Sequence, residues 1–229
     1  KYGGKANRYD KNGKRVGPGK GDLNWSPLVC ACAEGDLNSV KALVEGHDVE
    51  KTGMSLDEMV NKEGKYSHGY SKTPLQSAAA KEQFEIVQFL VKTCSNKVDL
   101  IGQTNSDGAN SLHYAALNSE KNVQTLQFLI DNYNGKDIKT IINQKTGDGY
   151  TPLDYAYKEN DSPIKNEIVS LLRKYGGKAN WYDKNGNRVE KGKGDLNDLL
   201  KACIDDDYEK VKALINDDGY GHLIDYTDS

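Results

Sequence analysis

The stretches of this 229-residue sequence that hold the residue types of a phosphate or metal site all fail on spacing. Gly17-Pro18-Gly19-Lys20-Gly21-Asp22 has the small residues and the lysine of a loop that cradles phosphate. Such a loop needs four residues between its first Gly and the Gly-Lys pair, then Ser or Thr for the metal. Neither condition is met, and the related stretch Glu190-Lys191-Gly192-Lys193-Gly194-Asp195 lacks the first glycine. Asp10-Lys11-Asn12-Gly13 and Asp183-Lys184-Asn185-Gly186 open like calcium loops, but the glycine and glutamate required further along are absent. Asn-Gly between short extended arms is a hairpin turn signal instead, so hairpins are expected at 5–20 and 178–193. His47, His68, His113 and His222 are scattered singly, and Cys30, Cys32, Cys94 and Cys203 form no Cys-x-x-Cys pair. Zinc-ligand spacing is therefore missing, and the cysteines read as small core fillers in a reducing compartment such as the cytoplasm. No nucleophile, base and orienting acid assemble. The sequence offers no catalytic residue, no metal site and no cofactor site, and it reads as a non-enzyme.

What remains is binding chemistry. The chain has 14 Tyr against 3 Phe, and Tyr66, Tyr70, Tyr114, Tyr150, Tyr155 and Tyr157 cluster near turns and helix starts. A tyrosine ring offers a large contact area with a polar tip at low entropic cost, which suits binding surfaces. The competing role is packing between helices, which fits Tyr114 and Tyr155 best.

The elements that would position these rings recur along the chain. Ser26-Pro27-Leu28, Thr73-Pro74-Leu75, Asn110-Ser111-Leu112 and Thr151-Pro152-Leu153 each open a short helix, and Leu199–Cys203 supplies a weaker fifth. The hydroxyl caps the helix, and Pro occupies the first helical position, where its missing N–H costs nothing. Small pairs such as Ala78-Ala79 and Ala115-Ala116 let these helices lie close to their neighbours. A second helix follows, with apolar residues at helical spacing, as in Ile86, Val87, Phe89, Leu90 and Val91. Asp107-Gly108, Asp148-Gly149 and Asp218-Gly219 supply reversals. First helices this short are not stable alone, so stacking must stabilise them.

This layout resembles the ankyrin repeat, most closely at Thr73-Pro74-Leu75-Gln76-Ser77-Ala78-Ala79 and in part at Ser111-Leu112-His113-Tyr114-Ala115-Ala116. The resemblance implies an all-α solenoid of stacked helix pairs with long β-hairpin or loop insertions. His113 takes the repeat's His position, which implies a bond to the adjoining loop. The openings are 47, 37 and 41 residues apart, against a usual period of about 33. The excess is expected as loops at 46–70, 94–108, 131–149 and 174–195, with a further insertion at Asn118 to Lys121. The expected division is 1–24 (end of a preceding repeat and hairpin), 25–70, 71–108, 109–149, 150–197 and a truncated 198–229.

A second periodicity overlies the first. Residues 1–24 and 174–197 are identical at 20 of 24 positions, which points to a tandem duplication of a block of about four repeats. The differences are Arg8/Trp181, Lys14/Asn187, Gly17/Glu190 and Pro18/Lys191, which read as solvent-facing or partner-facing. By the same comparison, the native chain is expected to continue upstream with an apolar helix like 167–173, and downstream into another Thr-Pro-Leu opening.

A formal net charge of -3 argues against a general nucleic-acid binder, and no apolar run is long enough for a membrane span. The resemblance implies a protein-interaction scaffold whose partner, another protein, lies on the concave face of the stack. That face is expected to include Tyr70, Lys72, Lys81, Asp107, Ala109, Asn118, Tyr150 and Lys158. The alternative is a self-assembling rod of tandem blocks. Residues 1–24 carry seven basic and two acidic side chains, and 198–229 carry three basic and nine acidic, which would favour head-to-tail self-association.

Overall fold

The computed structural model describes residues 26–65, 71–117, 120–135, 137–158, 163–183, 185–189, 191, 203 and 207–216. The first layer is α1 (Pro27–Glu34) and α2 (Leu37–Glu45), joined at Gly35, whose φ of 78° closes the helix. This left-handed φ favours glycine, and a Cβ there would also require the flexible end of the Gln83 side chain to move aside. Next come α3 (Val49–Thr52), α4 (Leu56–Asn61) and a two-stranded antiparallel ribbon, β1 (Gly64–Lys65) and β2 (Ser71–Lys72). The second layer is α5 (Pro74–Ala80) and α6 (Phe84–Thr93), followed by α7 (Lys97–Gly102). The third is α8 (Ser111–Ala115) and α9 (Glu120–Asn132), followed by α10 (Ile138–Ile142). The fourth is α11 (Pro152–Lys158) and α12 (Pro163–Lys174), and α13 (Tyr208–Asn216) lies beyond it.

Layer stacks on layer. Among first helices, α1 packs on α5, α5 on α8 and α8 on α11; among second helices, α2 packs on α6, α6 on α9 and α9 on α12. Ala31, Ala78, Ala79, Ala115, Ala116 and Ala156 are all fully buried, so small side chains do set the close approach of the first helices. Ile86, Val87, Leu90, Leu126, Leu129, Ile168 and Leu172 fill the space between the two rows. The result is an all-α repeat solenoid whose only sheet, among the described residues, is the β1–β2 ribbon.

The inserted residues are not plain loops, which corrects the expectation for 46–70, 94–108 and 131–149. They carry α3, α4, α7 and α10, each a turn or two long. Local capping starts three of them. Ser55 and Glu58 form a capping box on α4, Asn96 caps α7, and Asp137 caps α10. Each of these three then buries an apolar anchor: Val60, the Leu100–Ile101 pair and the Ile141–Ile142 pair. Helices this short show too few apolar positions for a period to emerge. In the third layer α9 already begins at Glu120, while Asn118 lies outside the described residues.

Cys30, Cys32 and Cys94 are buried and free, whereas Cys203, expected in the core, is free and exposed. Burial raises the Cys32 thiol, and burial with the neighbouring Asp57 carboxylate pushes Cys94 up to about 12. Thiol labelling without reductant should therefore modify Cys203 quickly in the native protein and all four cysteines only on unfolding. Two or fewer reactive thiols after unfolding would contradict the free-thiol assignment.

Candidate partner-binding face

In three of the four openings one position ties its layer to the next, whereas the first opening has the apolar Val29 there. In α5 it is Gln76, whose carbonyl takes the Thr73 N–H and whose amide reaches the Gln103 and Ala109 carbonyls at 3.0 and 3.1 Å. In α8 it is His113. The Asn110 N–H donates to Nδ1 at 3.1 Å, so the proton sits on Nε2, which donates to the Tyr150 carbonyl at 3.1 Å. The loop bond implied for His113 is therefore present. Burial pulls this ring down from 6.5 to about 4, so it is neutral at pH 7. In α11 the residue is Asp154, an acceptor instead of a donor. It accepts from the Thr151 N–H and, across to the next segment, from the Asn180 and Trp181 N–H groups at 2.8–2.9 Å. Burial is the main influence on this carboxyl and raises its pKa, against the hydrogen bonds that stabilise its charge.

These bridges hold a series of tight turns. Asn105, Thr146 and Asp183 each donate N–H to the carbonyl four residues on, and Gly108, Gly149 and Gly186 adopt φ of 82°, 86° and 80°. The Asp183 carboxylate is engaged by the Asn185 and Asn187 N–H groups at 2.9 and 2.8 Å, which is why Asp-Lys-Asn-Gly is a turn and not a calcium loop. The Tyr182–Arg188 bridge completes the hairpin expected at 178–193, as far as it is described. The matching hairpin at 5–20 lies outside the described residues. Adjacent tips also join, through the Gly147 N–H and the Asp107 carbonyl at 2.8 Å.

Between the turns and the first helices runs a line of rings and cations. Lys72 Nζ sits 4.5 Å from the Tyr114 ring centre. Burial and the nearby Lys81 charge lower the Lys72 pKa. Tyr114 meets Tyr155 edge-on at 6.3 Å, and Tyr155 meets Tyr150 edge-on at 6.5 Å. Tyr150 stacks on Trp181 at 5.2 Å and 18°. Lys158 Nζ lies 4.3 Å from the Tyr150 centre, and the Arg188 guanidinium lies 5.4 Å from the Trp181 ring while donating to the Tyr150 hydroxyl. The Trp181 indole N–H donates to the Asp148 carbonyl at 3.2 Å, which locks the ring onto the tip. Each exposed ring–cation contact is worth about 0.5–1 kcal/mol, and several in series make a stiff ridge that is buried at Tyr114 and opens to solvent from Tyr155 through Tyr150 to Trp181.

Of the residues expected on the concave face, Lys72, Tyr150 and Lys158 come together on this ridge, and Lys81 lies near Lys72. Asp107 is exposed at a tip. Ala109 is fully buried, because its carbonyl and N–H close the Asn105 turn, so it cannot touch a partner. Tyr70 and Asn118 lie outside the described residues, as do the basic 1–24 segment and most of the acidic 198–229 segment. Sequence reasoning missed Arg188, and it read Trp181 as solvent-facing or partner-facing without placing it beside Tyr150. The exchange of Arg8 for Trp181 between the duplicated segments was the available signal for Trp181. No helix of the described residues is long and apolar enough to cross a membrane.

A probable 26S proteasome regulatory subunit, p28, from Saccharomyces cerevisiae is 28% identical to this chain over 170 residues. The match covers 74% of this chain and 63% of the relative, so it spans less than two thirds of the relative's length. The family described as Ankyrin repeats (3 copies) matches residues 6–100 and 55–141, more than half of the sequence. With stacked helix pairs, Thr-Pro openings and tied hairpin turns all in place, the chain belongs to the ankyrin-repeat family.

Proposed function

We propose that this chain binds a partner protein along the ridge from Lys72 and Tyr114 through Tyr155 and Tyr150 to Trp181 and Arg188. Ankyrin repeats are in general protein-interaction modules. The relative described as a proteasome regulatory subunit supports a role in assembly with other proteins. The observation that carries the reading is the unbroken ring–cation series on the hairpin side of the first helices. Rings held in place by neighbouring rings lose little entropy on binding, which is what an anchor residue requires.

Tyr150→Ala and Trp181→Ala are each expected to weaken partner binding by about 2 kcal/mol, roughly thirtyfold in Kd, with little change in melting temperature. Affinity capture from the source cell with native and variant chains, followed by titration of the recovered partner, measures this. Undiminished binding by the double variant would remove the ridge from the interface. A large fall in melting temperature would instead assign these rings to the core.

A further inference from the structure

We infer that the occupant of this ridge is an acidic peptide segment, with carboxylates placed at Lys158 and Arg188 and an apolar side chain against the Tyr150–Trp181 edge. The inference rests on the binding reading above and adds the chemistry of the partner.

Three observations carry it. First, charge is distributed unevenly. The whole chain has 34 acidic and 31 basic side chains, yet Lys72, Lys81, Lys158 and Arg188 gather along one line. Lys158 and Arg188 are exposed, and neither is in a salt bridge among the described residues. Two described carboxylates of the same segments are engaged elsewhere. Asp154 is buried and engaged by backbone N–H groups, and Asp183 closes its own turn. Asp107 and Asp148 stand out at the tips, where they would repel the flanks of a wrongly placed acidic chain and so fix its register.

Second, the rings are already in use. Tyr150 carries both the Trp181 stack and the Lys158 ammonium, and Trp181 has Arg188 beside it. A single-stranded nucleic acid needs open ring faces for its bases, and this ridge offers edges and cations instead. A peptide carboxylate can bind the guanidinium and ammonium without displacing either from its ring.

Third, the duplicated segments diverge here. Between residues 1–24 and 174–197 the turn residues and Arg15/Arg188 are kept, while Arg8 is replaced by Trp181, Lys14 by Asn187, Gly17 by Glu190 and Pro18 by Lys191, so this copy gains a ring beside the shared arginine and is less basic overall. Lys191 lies alongside Gly149, next to the ridge. The scaffold is constant and the ridge chemistry changes, as expected where a partner is read.

The test uses the full chain and fluorescence anisotropy with three labelled probes: a short peptide alternating Glu and Leu, its Gln–Leu counterpart, and oligo-dT. The Glu–Leu peptide should bind at least about tenfold more tightly than Gln–Leu at low salt, with the difference shrinking as salt rises. A Lys158→Gln/Arg188→Gln protein with unchanged circular dichroism should abolish the difference. Equal binding of both peptides, still weakened by Trp181→Ala, would overturn the acidic occupant and leave the ridge as a binding site. A Glu–Leu preference that survives the double variant would overturn the assignment to Lys158 and Arg188. Tighter binding of oligo-dT, or no binding of either peptide, would overturn the inference outright.

Discussion

Replacing Asp154 with Ala is expected to lower the unfolding free energy by about 3–5 kcal/mol and to release the 178–189 hairpin from the layer above it. Asp154 is fully buried, and its two oxygens accept from Thr151, Asn180 and Trp181 backbone N–H groups and from the Thr151 hydroxyl. Truncation leaves the Thr151, Asn180 and Trp181 backbone N–H groups without that acceptor, at about 1–3 kcal/mol each, while the Thr151 hydroxyl can turn wholly to the Lys178 carbonyl. Asp154→Asn keeps one acceptor and turns an amide N–H toward donors, so its loss should fall between wild type and Ala. Urea unfolding gives the energies, and amide exchange at Asn180 and Trp181 reports the hairpin. A loss below about 1 kcal/mol for Ala would show that the hairpin is held by something else. Because Asp154 fixes the Trp181 backbone, the Ala variant should also weaken partner binding without touching the partner.

Acidification should destabilise the stack through His113. The folded ring titrates near 4 and the unfolded one near 6.5. Above pH 6.5 the ring is neutral in both states, and its contribution is constant. Between pH 6.5 and 4 the unfolded chain binds a proton that the folded chain excludes, so stability falls as pH falls, by on the order of 3 kcal/mol across the window. Asp154 acts in the opposite sense. Its folded pKa is raised, so its adverse contribution fades as acid protonates it. His113→Gln separates the two. Glutamine at Gln76 already performs the same bridging task in α5, so it should retain a bond to the Tyr150 carbonyl and remove the titration. Unfolding energies measured from pH 7 to pH 4 should fall steeply in wild type and more gently in the variant. Parallel profiles would assign the acid sensitivity to other groups.

The stack itself was legible in the sequence because its signals are local and repeated. Thr-Pro openings, small pairs and Asp-Gly or Asn-Gly turns each act within a few residues, and recurrence reinforces them. The bridging position was less legible. His113 was recognised through resemblance, but Gln76 and Asp154 do the same work with different chemistry, one donating to carbonyls and the other accepting from N–H groups. Nothing in a single residue type announces that equivalence. The ridge was half visible. Lys72, Tyr150 and Lys158 followed from loop and helix positions, whereas Trp181 joins Tyr150 only because a hairpin folds back across 31 residues. The helices within the insertions escaped because one or two buried apolar residues do not make a period.

The tip-to-tip bond from Gly147 to Asp107 and the strictly neighbouring contacts of the first helices have a mechanical meaning. A chain pulled at its two ends would load these layers in series, because the described helices make their main contacts with adjacent layers. Yielding would then proceed one layer at a time. A segment such as 111–152, once peeled away, would add about 140 Å of contour length. Under force such a molecule behaves as a ratcheted tether, lengthening in steps.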